Sequence, residues 1–211
     1  MKLKGLKIGL SIAMGIIALF LSLMLAFNIV YIKTRAEGES MYPTLNSTAG
    51  SDRVFINRFE SGEVGDIVVA NISKQENWEQ KQKGDYAIKR LIAKEGDRVR
   101  IEQVGVLTYS LIVNDKVIET KKLTTEFNSY YYFNIYIATN YLNPEKVENG
   151  NMVVGIGEIF LMGDNWENSY DCASCGPISV TSLVGRVDIV VPRSKNIFLG
   201  TIKGIFKMWF K

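Results

Sequence analysis

Residues 8–32 form a run of 25 positions without a charged side chain. A helix of that length spans about 37 Å, enough to cross a hydrocarbon core of about 30 Å with some tilt. A cleaved export signal has a shorter apolar region, about 7–15 residues, closed by a small-x-small site. This run is longer and no A-x-A pattern closes it, so it is expected to be a retained anchor. Lys2, Lys4 and Lys7 precede it, and Lys33 and Arg35 follow. The bias places the N-terminus in the cytoplasm and the body outside.

Charge divides the rest of the chain. Residues 1–35 and 193–211 each carry five basic side chains and no acid, whereas residues 36–192 hold 15 basic and 22 acidic ones, a net of −7. Basic ends around an acidic body point to a lipid bilayer met by the ends. Nucleic acid is excluded as a partner, because the body would repel phosphate. In the tail, Lys203, Lys207 and Lys211 recur every four residues, with Phe198, Ile202, Ile205, Phe206 and Trp209 mostly on the opposite side of a helical wheel. That pattern predicts a basic amphipathic helix in the membrane interface. The alternative is a helix packed on the body.

Between the ends, residues 54–56, 67–72, 99–101, 106–113, 159–162 and 183–191 are short and rich in Val and Ile, with Gly-Asp or Asn-Asp turns as punctuation. The body is expected to be mainly β, an antiparallel sheet curled on itself. Residues 103–150 have the look of an insertion. Their aromatics, Tyr130, Tyr131, Tyr132, Phe133, Tyr136 and Tyr141, alternate as in a strand, which predicts a β-ribbon covering the main sheet. The expected organisation is a cytoplasmic tip and anchor (1–35), a first catalytic part (36–102), an inserted β domain (103–150), a second catalytic part (151–192) and a basic tail (193–211).

The chain contains no histidine, which removes Ser-His and Cys-His pairs and His-ligated metal sites. Its two cysteines, Cys172 and Cys175, cannot complete a tetrahedral zinc site alone. Any proton shuttle must be a carboxylate, a lysine or a tyrosine. A lysine can deprotonate a serine if burial brings its pKa down from about 10.4 toward the working pH. No serine has a lysine three residues later, so the S-x-x-K arrangement of β-lactamases is absent. Three other segments remain: Gly38-Glu39-Ser40-Met41-Tyr42-Pro43-Thr44-Leu45, then Tyr86-Ala87-Ile88-Lys89-Arg90-Leu91 ahead of Gly96-Asp97-Arg98-Val99, then Gly163-Asp164-Asn165-Trp166-Glu167-Asn168-Ser169-Tyr170-Asp171. In a strand Lys89 shares a face with Ala87 and Leu91, which would seat its amine on the apolar side. Lys94, beside Glu95 near a turn, is the alternative base in a wetter setting.

In this order, behind an apolar span, the segments closely resemble bacterial type I signal peptidases of the Gram-positive kind. The match covers anchor and catalytic core and leaves residues 103–150 and the tail unmatched. The resemblance implies Ser40 as nucleophile, Lys89 as general base and Ser169 as the serine that orients the lysine amine. It implies a structural ion pair of Arg90 with Asp164, a second acidic support in Asp171, and apolar neighbours Met41 and Met162 that keep Lys89 neutral. The oxyanion donor would be the Ser40 N–H. Relatives with a hydroxyl two residues before the nucleophile add a donor there, but that position is Gly38, so backbone or another group must help.

Two departures stand out. The family usually continues S-x-D-S-R, the arginine pairing with the second aspartate; here Ala173 takes the arginine position. The same loop has gained Cys172 and Cys175, which either form a disulfide that stiffens it, as an extracytoplasmic location permits, or remain two reduced thiols. The substrates implied are signal peptides of exported preproteins, bound extended and cut after a small residue at the outer face of the plasma membrane. No cofactor or metal is implied, and the protein is expected to act as a monomer. A self-cleaving repressor-type Ser-Lys protease would carry a DNA-binding helix-turn-helix where this chain has its apolar run. A non-enzymatic anchored binder would have no need to retain Ser40, Lys89 and Ser169.

Overall fold

The computed structural model describes residues 2–45, 51–73, 85–193 and 200–205. The uncharged run forms most of helix α1 (Lys2–Val30). Within it, Lys7–Val30 is long and apolar enough to cross a membrane, and none of its most apolar stretch is buried in the protein. The last uncharged residues leave the helix and enter strand β1 (Tyr31–Arg35). Phe27 packs on Tyr31 and on Phe55 of β2 (Arg53–Asn57), with ring centroids 4.8 and 5.6 Å apart, and the Arg58 N–H bonds the Val30 carbonyl. The end of α1 is thus clamped to the sheet.

The body is mainly β. Strands β3 (Ile67–Asn71), β4 (Tyr86–Lys94), β10 (Glu158–Met162), β11 (Ile178–Ser179) and β12 (Leu183–Val191) join β1 and β2 in a seven-stranded antiparallel sheet of order β1-β2-β12-β3-β4-β10-β11. A second sheet of order β7-β6-β5-β9-β8 contains β5 (Arg98–Gly105), β6 (Thr108–Val113), β7 (Lys116–Lys122), β8 (Val147–Glu148) and β9 (Asn151–Val153). The β6–β7 hairpin turns at Asn114-Asp115, both at positive φ, which suits the tight two-residue turns that follow strand twist. The main core lies between the sheets and includes Leu91, Val99, Leu111, Met152, Phe160 and Leu161.

Residues 128–140 correct the ribbon expectation. They form helix α2 (Asn128–Asn140) instead of a strand. Aromatic and β-branched residues favour strands weakly and helices little, but tertiary burial outweighs propensity. Here Tyr130, Phe133, Tyr136 and Ile137 fall on one helical face against the core, and Phe133 is fully buried. The aromatics do cover the core, from a helix packed beside the short helix α3 (Cys172–Cys175).

Residues 200–205 of the tail are helical, but this turn packs on the body. Gly200 and Gly204 sit against Val191 and Ile189 of β12 so closely that a methyl at either would collide. Ile205 joins Phe55, Ile189, Val191, Phe27 and Tyr31 in one cluster. For residues 200–205 the structure thus shows the packed alternative, beside the end of the apolar helix. Lys207, Trp209 and Lys211 lie outside the described residues.

Candidate active site

Strand β4 carries the central residue. Ala87, Lys89 and Leu91 alternate inward, so the Lys89 side chain is 1% exposed among apolar neighbours. Burial pushes its amine below the ordinary lysine range; the negative charge of Asp171 and the nearby Cys172 and Cys175 act in the opposite sense without cancelling it. The Nζ donates to the Ser169 hydroxyl at 3.1 Å. Ser169 in turn donates to Asp171 Oδ2. Lys94, the alternative base, is bonded to Glu63 at 2.6 Å on the surface.

Asp171 holds the loop without an arginine. Its Oδ2 accepts the Gly163 N–H at 2.9 Å, and its Oδ1 accepts the Ala173 N–H at 3.1 Å as the N-cap of α3. Ala173 therefore bonds Asp171 from its main chain, at the position where an arginine side chain was expected. Cys172 and Cys175 are not joined in the disulfide their spacing allows. Both stand in the single turn of α3, and Cys175 Sγ donates to the Asp171 carbonyl at 3.0 Å. Burial, then contact with Cys172, pushes the Cys175 thiol well up, the setting of an inert thiol. The capped turn supplies the stiffening assigned to a disulfide.

Ser40 lies in the turn after β1, anchored by buried Met41 and Leu45. The Gly163-Asp164-Asn165 segment grips that turn. The Asn165 N–H bonds the Ser40 carbonyl at 2.9 Å, Asn165 Nδ2 bonds the Glu39 carbonyl at 3.1 Å, and Thr44 Oγ1 donates to Asp164 Oδ2 at 2.5 Å. Asp164 also accepts Arg90 Nε at 2.8 Å and Nη2 at 2.5 Å. Burial pushes the Asp164 carboxyl up, but the bonds from Arg90 and Thr44 and the charges of Arg90 and Lys121 outweigh it and hold it below the usual carboxylate range. Met162 is fully buried at the end of β10. Gly38 adopts φ +80° with open space around it, so conformation rather than crowding demands glycine there.

Arg90→Gln is expected to lower stability by about 1–3 kcal/mol, toward the low end because Arg90 is part-exposed. The pH dependence has a definite sign. A carboxyl held low contributes fully above its unfolded pKa of about 3.9 and loses that contribution as pH falls through the folded value. Urea unfolding between pH 3 and 7 should show the variant's deficit largest at pH 7 and shrinking in acid. A deficit that does not shrink would mean that the pair's charge is not its source.

Ser40, Lys89 and Gly38 line one cleft of about 890 Å³ between β1 on one side and residues 85–89 on the other, with Ile56, Val69, Ile88 and Val184 on its walls. Strand β3 pairs with β4 from Tyr86 to Arg90, whereas β10 pairs only from Arg90 to Lys94. Among the described residues, Tyr86–Lys89 thus has no strand partner on the β10 side. No group of three or more acidic or cysteine side chains is arranged to hold a metal ion among the described residues.

Several contacts were not read from the sequence. From the segment outside the motifs, Lys121 Nζ donates to the Asp164 carbonyl at 2.7 Å and stands 4.8 Å from the Trp166 ring. Phe127 stacks on Trp166. Glu167 accepts from the Thr124 N–H and hydroxyl and from the Thr125 N–H. Ser129 Oγ donates to the Ser169 carbonyl at 3.1 Å. The one available signal was Thr44 and Asn165 standing inside the motifs already singled out; nothing marked Lys121 or Ser129.

A family profile described as Signal peptidase, peptidase S26, matches residues 8–192. Among curated proteins, the chain is 31% identical over 154 residues to thylakoidal processing peptidase 1, chloroplastic, of Arabidopsis thaliana, covering 70% of this chain and 38% of that one. It is 30% identical over 151 residues to the probable thylakoidal processing peptidase 2, chloroplastic, of the same plant, covering 70% of this chain and 34% of the relative. The matched region therefore spans little more than a third of those relatives. Among solved structures, a crystal structure of a signal peptidase I from Enterococcus faecalis V583 aligns with a TM-score of 0.35 at 21% identity, covering 60% of this chain and 96% of that one.

Proposed function

The chain belongs to the signal peptidase S26 family, and from that premise we propose that it is a serine endopeptidase that removes signal peptides from exported preproteins with Ser40 as nucleophile and Lys89 as base. The observation that carries the reading is the Lys89 amine: buried, lowered in pKa, bonded to a hydroxyl, and lining the same cleft as Ser40. An amine neutral near working pH accepts the Ser40 proton as Oγ attacks the scissile carbonyl. The oxygen of the tetrahedral intermediate is met by the Ser40 N–H, with the backbone at Gly38 beside it. The ammonium then gives its proton to the leaving amine, and the C–N bond breaks to leave an acyl ester on Ser40. Lys89 next takes a proton from water as the water oxygen attacks the ester; the acyl C–O bond to Ser40 breaks and the ammonium returns its proton to Ser40 Oγ.

The side of Tyr86–Lys89 without a strand partner among the described residues suits a substrate bound as an added strand, main chain to main chain. The apolar walls suit small side chains. We place the body outside the bacterial plasma membrane, with the N-terminus in the cytoplasm and the protein anchored as a monomer. Ser40 is then tethered near the membrane face, where a signal peptide presents its cleavage site just past its apolar stretch.

The test uses the full-length protein in detergent micelles and a fluorogenic peptide with Ala immediately before the cut and two residues earlier. Cleavage after the Ala next to the cut is expected, falling at least about 10²-fold when Trp replaces that Ala. No cleavage, or cleavage indifferent to that residue, overturns the assignment.

A further inference from the structure

We infer that Ser129, on α2 and outside the three motifs, is a positioning residue for the Lys89 amine that acts through Ser169. The inference rests on the Ser40–Lys89 reading above and adds to it a segment the family motifs do not include. Ser129 is buried, and its hydroxyl donates to the Ser169 carbonyl at 3.1 Å. Ser174 Oγ of α3 donates to Ser129 Oγ at 2.8 Å. A hydroxyl has one proton. With its lone pair engaged by Ser174, Ser129 directs that proton to Ser169, and the two helices pin the main chain of the residue whose side chain accepts from Lys89.

The arrangement bears on chemistry because of what Ser169 separates. Its hydroxyl stands between Lys89 Nζ and Asp171 Oδ2, accepting from one and donating to the other. The charged or titratable groups acting on the amine are Asp171, Cys172 and Cys175, all on the loop that Ser129 braces. If the Ser169 main chain loosens, the amine moves closer to the carboxylate and nearer to water. Both changes favour the ammonium, so the amine titrates at higher pH and a smaller fraction is a base at neutral pH. The Ser129→Ala variant also leaves the Ser169 carbonyl without this donor.

The experiment follows Ser129→Ala, Ser129→Thr and Ser174→Ala in full-length protein. Lysine-selective 15N NMR reads the Lys89 amine directly, its signal assigned by its loss in Lys89→Met, so the inference is measurable even if the cleavage assay of the proposed function fails. Ser129→Ala is expected to move the amine midpoint and the acid limb of kcat/KM to higher pH, and to lower kcat about 10- to 100-fold with KM changed less than about threefold. Ser129→Thr, which keeps the hydroxyl, restores the midpoint. Ser174→Ala, which removes only the donor behind Ser129, gives a smaller shift of the same sign and reads the inference if Ser129→Ala does not fold. An unshifted midpoint in the folded variants, or lost activity that tracks the melted fraction alone, overturns it.

Discussion

Lys89→Met is expected to abolish cleavage and, at neutral pH, to make the protein harder to unfold. Loss of the proposed base should lower kcat on the order of 10⁶-fold, as should Ser40→Ala, because on the proposed mechanism each removes a member of a unit that acts together. The stability effects separate the two. Lys89 is 1% exposed, and its folded-state pKa lies below the unfolded value of about 10.4. Between those two values the unfolded chain binds the extra proton, so wild-type stability rises with pH across that window and the burden of burying the amine is greatest at and below the folded pKa. A methionine of similar length has no proton to lose. Its advantage, about 1–4 kcal/mol by analogy with buried ionic groups replaced by apolar ones, is expected near pH 7 and fades toward pH 10. Ser40→Ala at the half-buried turn should change stability by less than about 0.5 kcal/mol at any pH. Urea unfolding at pH 6, 8 and 10 beside peptide cleavage checks both. Retained cleavage in either variant, or a Met variant less stable throughout, sinks the assignment of Lys89 as a buried neutral base.

The parts of this arrangement that were legible in the sequence are those set by local chemistry. The alternation Ala87, Lys89, Leu91 gave the buried face of β4, and the structure seats those residues as the period of a strand requires. The Val- and Ile-rich run 183–191 is a strand with the expected bounds. Its place between β2 and β3 was not legible, because antiparallel partners so distant in sequence are chosen by the packed whole. Residues 128–140 were misread because their aromatics satisfy two periods, and only the shape of the core selects the helical one. The support of Asp171 was hidden for another reason. A main-chain N–H belongs to every residue except proline, so the Ala173 and Gly163 donors leave no mark on side-chain identity. An arginine partner can be seen missing from a sequence; a backbone substitute can be seen only in the fold.

Gly163 condenses that lesson into one atom, and Gly163→Ala is expected to reduce kcat by about 10²-fold or more. This glycine needs no unusual φ; what it needs is space. A Cβ there would meet Ser169 Oγ, Ser169 Cβ and the backbone carbonyl of Ser40 inside contact distance. Neither neighbour is at liberty to turn away: Ser169 Oγ is tied to Lys89 and Asp171, and the Ser40 carbonyl is tied to the Asn165 N–H. A methyl therefore has to push apart Ser169, proposed to orient Lys89, and the turn that carries Ser40, the proposed nucleophile, while straining the Gly163 N–H bond to Asp171. A displacement near 1 Å at reacting groups costs on the order of 10²-fold in rate, and overpacking a buried site destabilises by about 1–3 kcal/mol. The two consequences come apart under measurement at a temperature where the variant is fully folded. There kcat should still be reduced, with KM little changed because the distant cleft walls at Ile56 and Val184 are untouched. Full activity in the folded Gly163→Ala protein would mean that Ser40 and Ser169 do not depend on their mutual approach across this glycine.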